Sequence, residues 1–135
     1  MIRLLALFAA LMLAAPAMAG EAKMAETSMD TVEAKLASGD CHVFDANSSY
    51  TREKEGTIEG AVLLTGSTDY DLSVLPKAKD ANLVFFCGST RCTASDKAAV
   101  RAADAGYSNV SVMREGIKGW KAAGKKTVKA DQKKS

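Results

Sequence analysis

The sequence predicts an α/β domain built on a mainly parallel sheet. Short apolar runs alternate along the chain with helical stretches, at lengths typical of βαβ units. The clearest strand, Asn82–Phe86, is an uninterrupted apolar run, as expected for a strand buried on both faces. A short polar turn and an Ala-rich helical segment follow it. This order of strand, turn and helix is the basic unit of a parallel sheet.

The other elements follow from periodicity and end signals. Val32 and Leu36 lie four residues apart in a first helix, with a cap at Ser28 or Asp30 and a stop at Gly39. Strands are predicted at residues 41–45, 61–64, 82–86 and 109–113, and helices at 31–37, 94–105 and 117–123. Residues 48–55 form a loop or a short helix, and the turn-rich stretch 65–80 holds little more than one helical turn at 72–75.

The N-terminus has the pattern of a secretory signal peptide. Arg3 precedes an apolar run from Leu4 to Pro16, and the small-residue tripeptide 17–19 (Ala-Met-Ala) follows. The alternative is a retained membrane anchor, but a run of about a dozen residues is shorter than the roughly 20 that span a bilayer. We therefore expect cleavage after Ala19 and a periplasmic or secreted protein without stable membrane insertion.

The domain boundaries follow from this assignment. We predict a signal peptide at 1–19, a linker at 20–27, one domain at 28–124 and a Lys-rich tail at 125–135, which we expect to be solvated and partly disordered. The whole chain carries 18 basic and 16 acidic residues. Because these charges nearly balance, there is no reason to expect nucleic acid as the partner. The oligomeric state is left open.

Three cysteines, Cys41, Cys87 and Cys92, remain after the signal peptide. An odd number in an oxidising compartment leaves at least one thiol unpaired or reactive. Cys87 ends the buried strand, and the polar turn 88–93 leads from it into the Ala-rich helix. This places its sulfur at the carboxyl end of the sheet, where α/β domains bind ligands.

Three features favour the thiolate form of Cys87. The N–H groups of the turn and the start of the helix present partial positive charge, and Arg91 adds a full charge. Because the thiolate is the attacking form, Cys87 is predicted to be a nucleophile. The alternative is that Cys87 is a small core residue, since free cysteine is often buried.

Five sequence blocks resemble, in order and spacing, the signature blocks of a single rhodanese domain over residues 28–124. They are Asp45–Asn47, Gly56–Ala61, the strand into Cys87, Ala105–Val110 and Glu115–Trp120. The resemblance implies a rhodanese-like fold with helices on both faces of the sheet. It also implies a sulfurtransferase in which Cys87 takes sulfane sulfur from a thiosulfate-like donor and passes it, as a persulfide, to cyanide or a thiol. The cradle for the sulfur would be Gly88, Ser89, Thr90, Arg91, Cys92 and Thr93.

The chain departs from the usual family pattern at three places. Asn47 stands where an arginine is common, Thr57 and Glu59 alter the second block, and the segment from Cys87 to Gly106 is about two residues longer than in the commonest members. The loop reads Cys-x4-Cys-x2-Ser, which resembles a branch of exported rhodanese-like proteins. Cys92 could approach Cys87 closely enough to act as a resolving thiol, or it could be a passive residue at the helix start.

The remaining candidate residues are assigned structural roles. Cys41 and His42 are adjacent in a strand and face opposite sides, so we expect a core Cys41, an exposed His42 and no metal site. No cofactor is predicted. Asp45 orients a loop or caps a helix, because no partner carboxylate is available for acid–base work, and Trp120 packs on the sheet with Ile117.

Three functions fit the same fold. The first is a sulfurtransferase that uses a persulfide on Cys87. The second is a redox protein in which Cys87 and Cys92 cycle between dithiol and disulfide. The third is a non-catalytic module that binds a partner or a thiophilic ion.

Overall fold

The computed structural model describes residues 24–130 of the chain. Its strands are β1 (Ala25–Glu26), β2 (His42–Asp45), β3 (Val62–Leu63), β4 (Asn82–Phe86) and β5 (Asn109–Val112). Its α-helices are α1 (Met29–Ser38), α2 (Ser49–Glu55), α3 (Ala94–Asp104) and α4 (Gly116–Ala122), and a 3-10 turn spans Leu72–Val74. Every strand and helix predicted from the sequence is therefore present, with ends that differ by a few residues.

The five strands form one sheet in the order β1-β5-β4-β2-β3, and all neighbouring pairs are parallel. Asp45 at the end of β2 is in register with Phe86 at the end of β4. The next residue along, Ala46, donates its N–H to the Phe86 carbonyl at 2.9 Å. The chain segments that leave β2 and β4 therefore start side by side at one edge of the sheet.

Helices cover both faces of the sheet, which confirms the α/β fold with a flanked parallel sheet. On one face, α3 buries Ala98, Ala99 and Ala102 in a cluster with alternate residues of β4. On the other face, Ile117 and Trp120 of α4 pack with Val32 of α1 and with the remaining β4 side chains. The small alanine side chains let α3 approach closely. The central strand β4 is thus buried from both sides.

Two local ambiguities are resolved by capping. Ser28 caps α1, accepting the N–H of Thr31 through its hydroxyl at 3.2 Å. Residues 49–55 are a helix rather than a loop, with Ser48 as the cap and a Ser48 hydroxyl contact to the Thr51 N–H at 3.3 Å. Each serine satisfies a backbone donor that the first helical turn leaves unpaired.

The expectation of a linker at 20–27 is wrong for Ala25 and Glu26. These residues pair with Ser111 and Val112 as a short edge strand, and Thr27 donates its N–H to the Val112 carbonyl at 3.0 Å. A two-residue strand has no periodicity that sequence patterns can reveal. Pairing is favourable here because β5 would otherwise leave its outer backbone groups without partners.

The expectation of a solvated tail from residue 125 is wrong as far as Val128. Thr57 and Val128 exchange backbone hydrogen bonds of 2.9 Å in an antiparallel bridge, and the indole of Trp120 donates to the Lys126 carbonyl at 2.8 Å. Lys125 forms ion pairs with Asp30 and Glu33 at 2.8 and 3.2 Å. These contacts hold the segment after α4 against α1 and the turn before β3.

The predicted signal peptide at 1–19, the start of the linker and the end of the Lys-rich tail lie outside the described residues. Among residues 24–130, none of the helices combines the length and apolar character needed to cross a bilayer.

Candidate thiol site

The site begins at Cys87, directly after the last residue of β4. Its side chain is almost fully buried, with 2% exposure. Cys87 and Cys92 form a disulfide, with a Cα–Cα distance of 6.2 Å that lies within the usual range. The sequence had predicted that the loop could bring these two residues together. The structure adds that Cys92 is the more exposed member of the pair.

Ser95 lies beside Cys87 in the first turn of α3. Its hydroxyl oxygen is 3.3 Å from the Cys87 sulfur, and the serine is buried. A hydroxyl can donate a hydrogen bond to a thiolate, so Ser95 is placed to stabilise Cys87 once the disulfide is opened. Ser95 is the serine of the Cys-x4-Cys-x2-Ser pattern, but the sequence alone did not indicate a role for it.

The loop between the cysteines offers backbone donors. Among the described residues, the loop N–H that has a backbone acceptor is that of Cys92, which donates to the Ser89 carbonyl at 3.0 Å. The N–H groups of residues 88–91 have no backbone acceptor among the described residues. Unpaired N–H groups in a tight turn, next to the start of a helix, form a suitable environment for an anion.

The loop backbone is held from the other side by the start of α4. Ile117 and Lys118 donate their N–H groups to the carbonyls of Cys87 and Gly88 at 2.8 and 3.0 Å. Gly116 has a φ of +66°, and a Cβ there would lie 2.6 Å from the Cys87 carbonyl oxygen. Glycine is required at this position by both backbone conformation and space. The fifth signature block therefore positions the loop.

Asp45 is the centre of a buried polar network under the site. Its carboxylate accepts the Asn47 N–H at 2.8 Å and the Thr57 hydroxyl at 2.6 Å. Arg52 of α2 lies 3.5 Å from the same carboxylate through Nε, and its Nη2 donates to the carbonyls of Asp45 and Leu64 at 2.7 Å each. Asp45 thus orients the loop after β2.

Arg52 is a buried cation at Asp45, although the position where the family pattern commonly has arginine, two residues after the aspartate, holds no cation. In this chain that position is Asn47, and sequence reasoning assigned no role to Arg52. The contact depends on α2 folding back over the end of β2. A seven-residue helix without an apolar stripe gave no signal that one face would be buried.

A cavity of about 250 Å³ opens beside the disulfide. Its lining includes Asn47, Tyr50, Lys54, Gly88, Cys92 and Lys118. Cys92 thus borders the cavity and Cys87 does not. Arg91 is exposed on the loop and does not line this cavity. The two lysines that do line it were not singled out by sequence reasoning, since they come from different helices.

Two further features define the chemistry of this cavity. Asn47 is 8% exposed, and its side-chain Nδ2 has no hydrogen-bond partner among the described residues. The one carboxylate in the lining is Glu55, whose pKa is lowered by a hydrogen bond from Lys121 at 2.9 Å. Its negative charge is therefore matched by Lys121. Lys54 and Lys118 leave the cavity with excess positive charge.

The residues assigned structural roles are found where they were expected. Cys41 is buried, burial raises the pKa of its thiol, and His42 is exposed. Trp120 and Ile117 pack against the sheet. Within residues 24–130, no three His, Cys, Asp or Glu side chains converge as metal ligands would.

A cysteine pair on a loop that joins a central parallel strand to a helix defines an α/β domain with a thiol-based loop site. The sequence matches the family model of the rhodanese-like domain over residues 28–123. The chain therefore belongs to the rhodanese-like domain family. A comparison with curated proteins finds no match.

Several solved structures have a similar fold. A Bacillus halodurans protein has a TM-score of 0.66 and 21% identity, over 80% of this chain and 82% of that one. The rhodanese-like domain of an Anabaena protein has a TM-score of 0.63 and 20% identity, over 82% and 83%. A human single-domain sulfurtransferase has a TM-score of 0.58 and 22% identity, over 72% and 95%. At such identities the likeness concerns the fold.

Proposed function

We propose that this domain is a sulfurtransferase that carries sulfane sulfur on Cys87. The main evidence is the position of the Cys87 sulfur. Cys87 directly follows the central strand, its sulfur lies 3.3 Å from the Ser95 hydroxyl, and the loop that follows has N–H groups without backbone acceptors. Membership of the rhodanese-like family and the similar fold of a human sulfurtransferase support the proposal. The donor would be a small anion of the thiosulfate type.

The reaction has two displacement steps. The Cys87 thiolate attacks the outer sulfur of thiosulfate, the S–S bond of the donor breaks, and sulfite leaves with the bonding electron pair. Cyanide or a thiolate then attacks the outer sulfur of the Cys87 persulfide, and Cys87 leaves as a thiolate. The persulfide divides one transfer into two easier steps, while N–H donors stabilise the charge on the sulfur and on the departing group.

The disulfide sets a condition on this chemistry. A sulfur that is bonded to Cys92 is not a thiolate and cannot attack a donor. Sulfur loading therefore requires prior reduction of the Cys87–Cys92 bond. We further propose that the N-terminal 19 residues export the protein, so that the disulfide forms in an oxidising compartment and the active dithiol depends on a reductant there.

Mass spectrometry of the reduced protein after thiosulfate treatment tests the proposal. We expect a gain of one sulfur atom, located on Cys87, and no gain for Cys87→Ser. Cys41→Ser is the matched control, since this thiol is buried away from the loop, and it should load normally. Cys92→Ser should load without prior reduction and hold the persulfide longer. Loading that survives Cys87→Ser and disappears in Cys92→Ser would refute the assignment.

A second candidate function is favoured by the disulfide itself. In a redox protein, Cys87 and Cys92 would cycle between dithiol and disulfide, as the pairing of these residues allows. The same experiment separates the two functions. Reduced protein that loses two hydrogen atoms and gains no sulfur would support the redox function. A non-catalytic binding module would show neither change.

A further inference from the structure

We propose that the Cys87–Cys92 disulfide is opened by a small anionic thiol that attacks Cys92. This opening step precedes sulfur transfer and does not depend on it. The inference begins with access to the two sulfur atoms. Cys87 is 2% exposed, whereas Cys92 is partly exposed and borders the 250 Å³ cavity. In thiol–disulfide exchange, access helps to decide which sulfur is attacked.

The charge of the cavity selects the attacking molecule. Lys54 of α2 and Lys118 of α4 both line the cavity that Cys92 borders. Glu55 is paired with Lys121, so Lys54 and Lys118 still leave the cavity lining with a net positive charge. A thiol that carries carboxylates would gain favourable contacts with both lysines. A neutral or cationic thiol would not.

Asn47 adds an unpartnered polar group next to these lysines in the cavity lining. Asn47 is a residue of the cavity lining, and its Nδ2 is buried and has no partner among the described residues. A buried N–H group without an acceptor is costly, so a rotation of this side chain that brings Nδ2 to a bound carboxylate would be favourable. The same position carries the amide in place of the family's usual arginine. The substitution thus provides a neutral donor beside two cations.

The exchange balances in two steps. The incoming thiolate bonds to the Cys92 sulfur, the Cys87–Cys92 bond breaks, and its electron pair stays on Cys87, whose thiolate can accept the Ser95 hydroxyl proton in a hydrogen bond. A second thiolate then attacks the sulfur of the bound thiol, and Cys92 leaves as a thiolate. Two external thiols are oxidised to one external disulfide, and the protein disulfide is reduced to a dithiol.

Glutathione, whose net charge is negative, is the probe, and 2-mercaptoethanol is the neutral reference. We expect Lys118→Gln and Lys54→Gln each to slow disulfide opening by glutathione about threefold, with the reaction of 2-mercaptoethanol unchanged. Lys77→Gln is the matched control, because it removes an exposed lysine outside the cavity. Equal rates for all variants with glutathione would overturn the proposed selection.

The site of attack is read by peptide mapping in a Cys41→Ser background. The protein reacts briefly with glutathione and is quenched with N-ethylmaleimide, without any sulfur donor. Trypsin cleavage after Arg91 places Cys87 and Cys92 on different peptides. We expect glutathione on the Cys92 peptide and maleimide on the Cys87 peptide. The reverse pattern would overturn the proposal, whatever the outcome of the sulfur-loading experiment, because opening is measured without a donor.

Discussion

Gly116 touches the backbone of Cys87 across the loop: a Cβ on the glycine would lie 2.6 Å from the Cys87 carbonyl oxygen and 2.7 Å from the carbonyl carbon of Gly88. The distance is shorter than Cβ atoms tolerate, and both neighbouring atoms belong to backbone. The position of the thiol loop is therefore coupled to the start of α4. A side chain at residue 116 would have to move one of the two.

Gly116→Ala tests this coupling. We expect it to lower the stability by more than the roughly 1–3 kcal/mol of a strained positive φ, and to reduce sulfur loading, because the loop is displaced. Gly124→Ala is the matched control, since Gly124 also has a positive φ, of +73°, but no atom lies within 4 Å of a Cβ there. Thermal unfolding and sulfur loading measure the two effects. A Gly116→Ala protein no less stable than Gly124→Ala would show that the backbone of Cys87 and Gly88 can move away from a Cβ at residue 116 at little cost.

The buried ion pair predicts a large effect at Asp45. Asp45→Asn leaves the Arg52 guanidinium buried without its counter-charge, and such losses cost about 3–5 kcal/mol. Thr57→Val removes one hydroxyl donor to the same carboxylate and should cost about 1–3 kcal/mol. Both are measured by urea unfolding. Glu59→Gln breaks an exposed pair with Lys126 and should change the free energy of unfolding by less than about 1 kcal/mol. An Asp45→Asn protein as stable as Glu59→Gln would contradict this assignment.

Tyr70 predicts a loss of stability in alkaline solution. Burial raises the pKa of Tyr70 to about 12, and its hydroxyl donates to the Ala98 carbonyl at 2.8 Å. The pKa of Tyr70 is higher in the folded protein than in the unfolded chain. The contribution of protonated Tyr70 to the free energy of unfolding is therefore complete below about pH 10 and is lost as the pH rises through 12.

The comparison that isolates Tyr70 is the free energy of unfolding of the wild type minus that of Tyr70→Phe. At pH 9 the wild type should be the more stable protein, because its hydroxyl satisfies a buried carbonyl. Between pH 10 and 12 the difference should shrink. A constant difference across this range would mean that Tyr70 does not titrate on unfolding as expected.

Arg91 stays a prediction about donor binding. Because the side chain is exposed, Arg91→Ala should leave thermal unfolding unchanged while raising the apparent KM for thiosulfate. The activity of the wild type should fall as salt is added, since charge attraction to a dianion is screened. An unchanged KM together with a lower melting temperature would make Arg91 a structural residue.

The sequence predicted the fold because its main signals are local. The apolar run of β4 and the serine cap of α1 are each contained within a few neighbouring residues. Cys87 was located in the same way, from the order of strand, turn and helix. The fold could therefore be derived before any long-range contact was known.

The contacts that sequence reasoning missed join distant segments. Arg52 reaches Asp45 only because α2 packs back on the sheet, and Lys54 and Lys118 share a cavity although they are far apart in the chain. Val128 pairs with Thr57 through backbone groups, which carry no residue-specific signal. Arg91 was singled out by its proximity in sequence, yet it does not line the cavity beside the disulfide.

The bridge between Thr57 and Val128 gives this domain a physical boundary beyond the family match, which ends at residue 123. A chain shortened to residue 123 would lose the Lys126 carbonyl, which accepts the hydrogen bond from the Trp120 indole. It would also lose the N–H and the carbonyl of Val128, which pair with the backbone of Thr57. Thr57 is also the hydroxyl donor to Asp45. Recombinant versions of the domain should therefore extend through Ala130, with any affinity tag added beyond it.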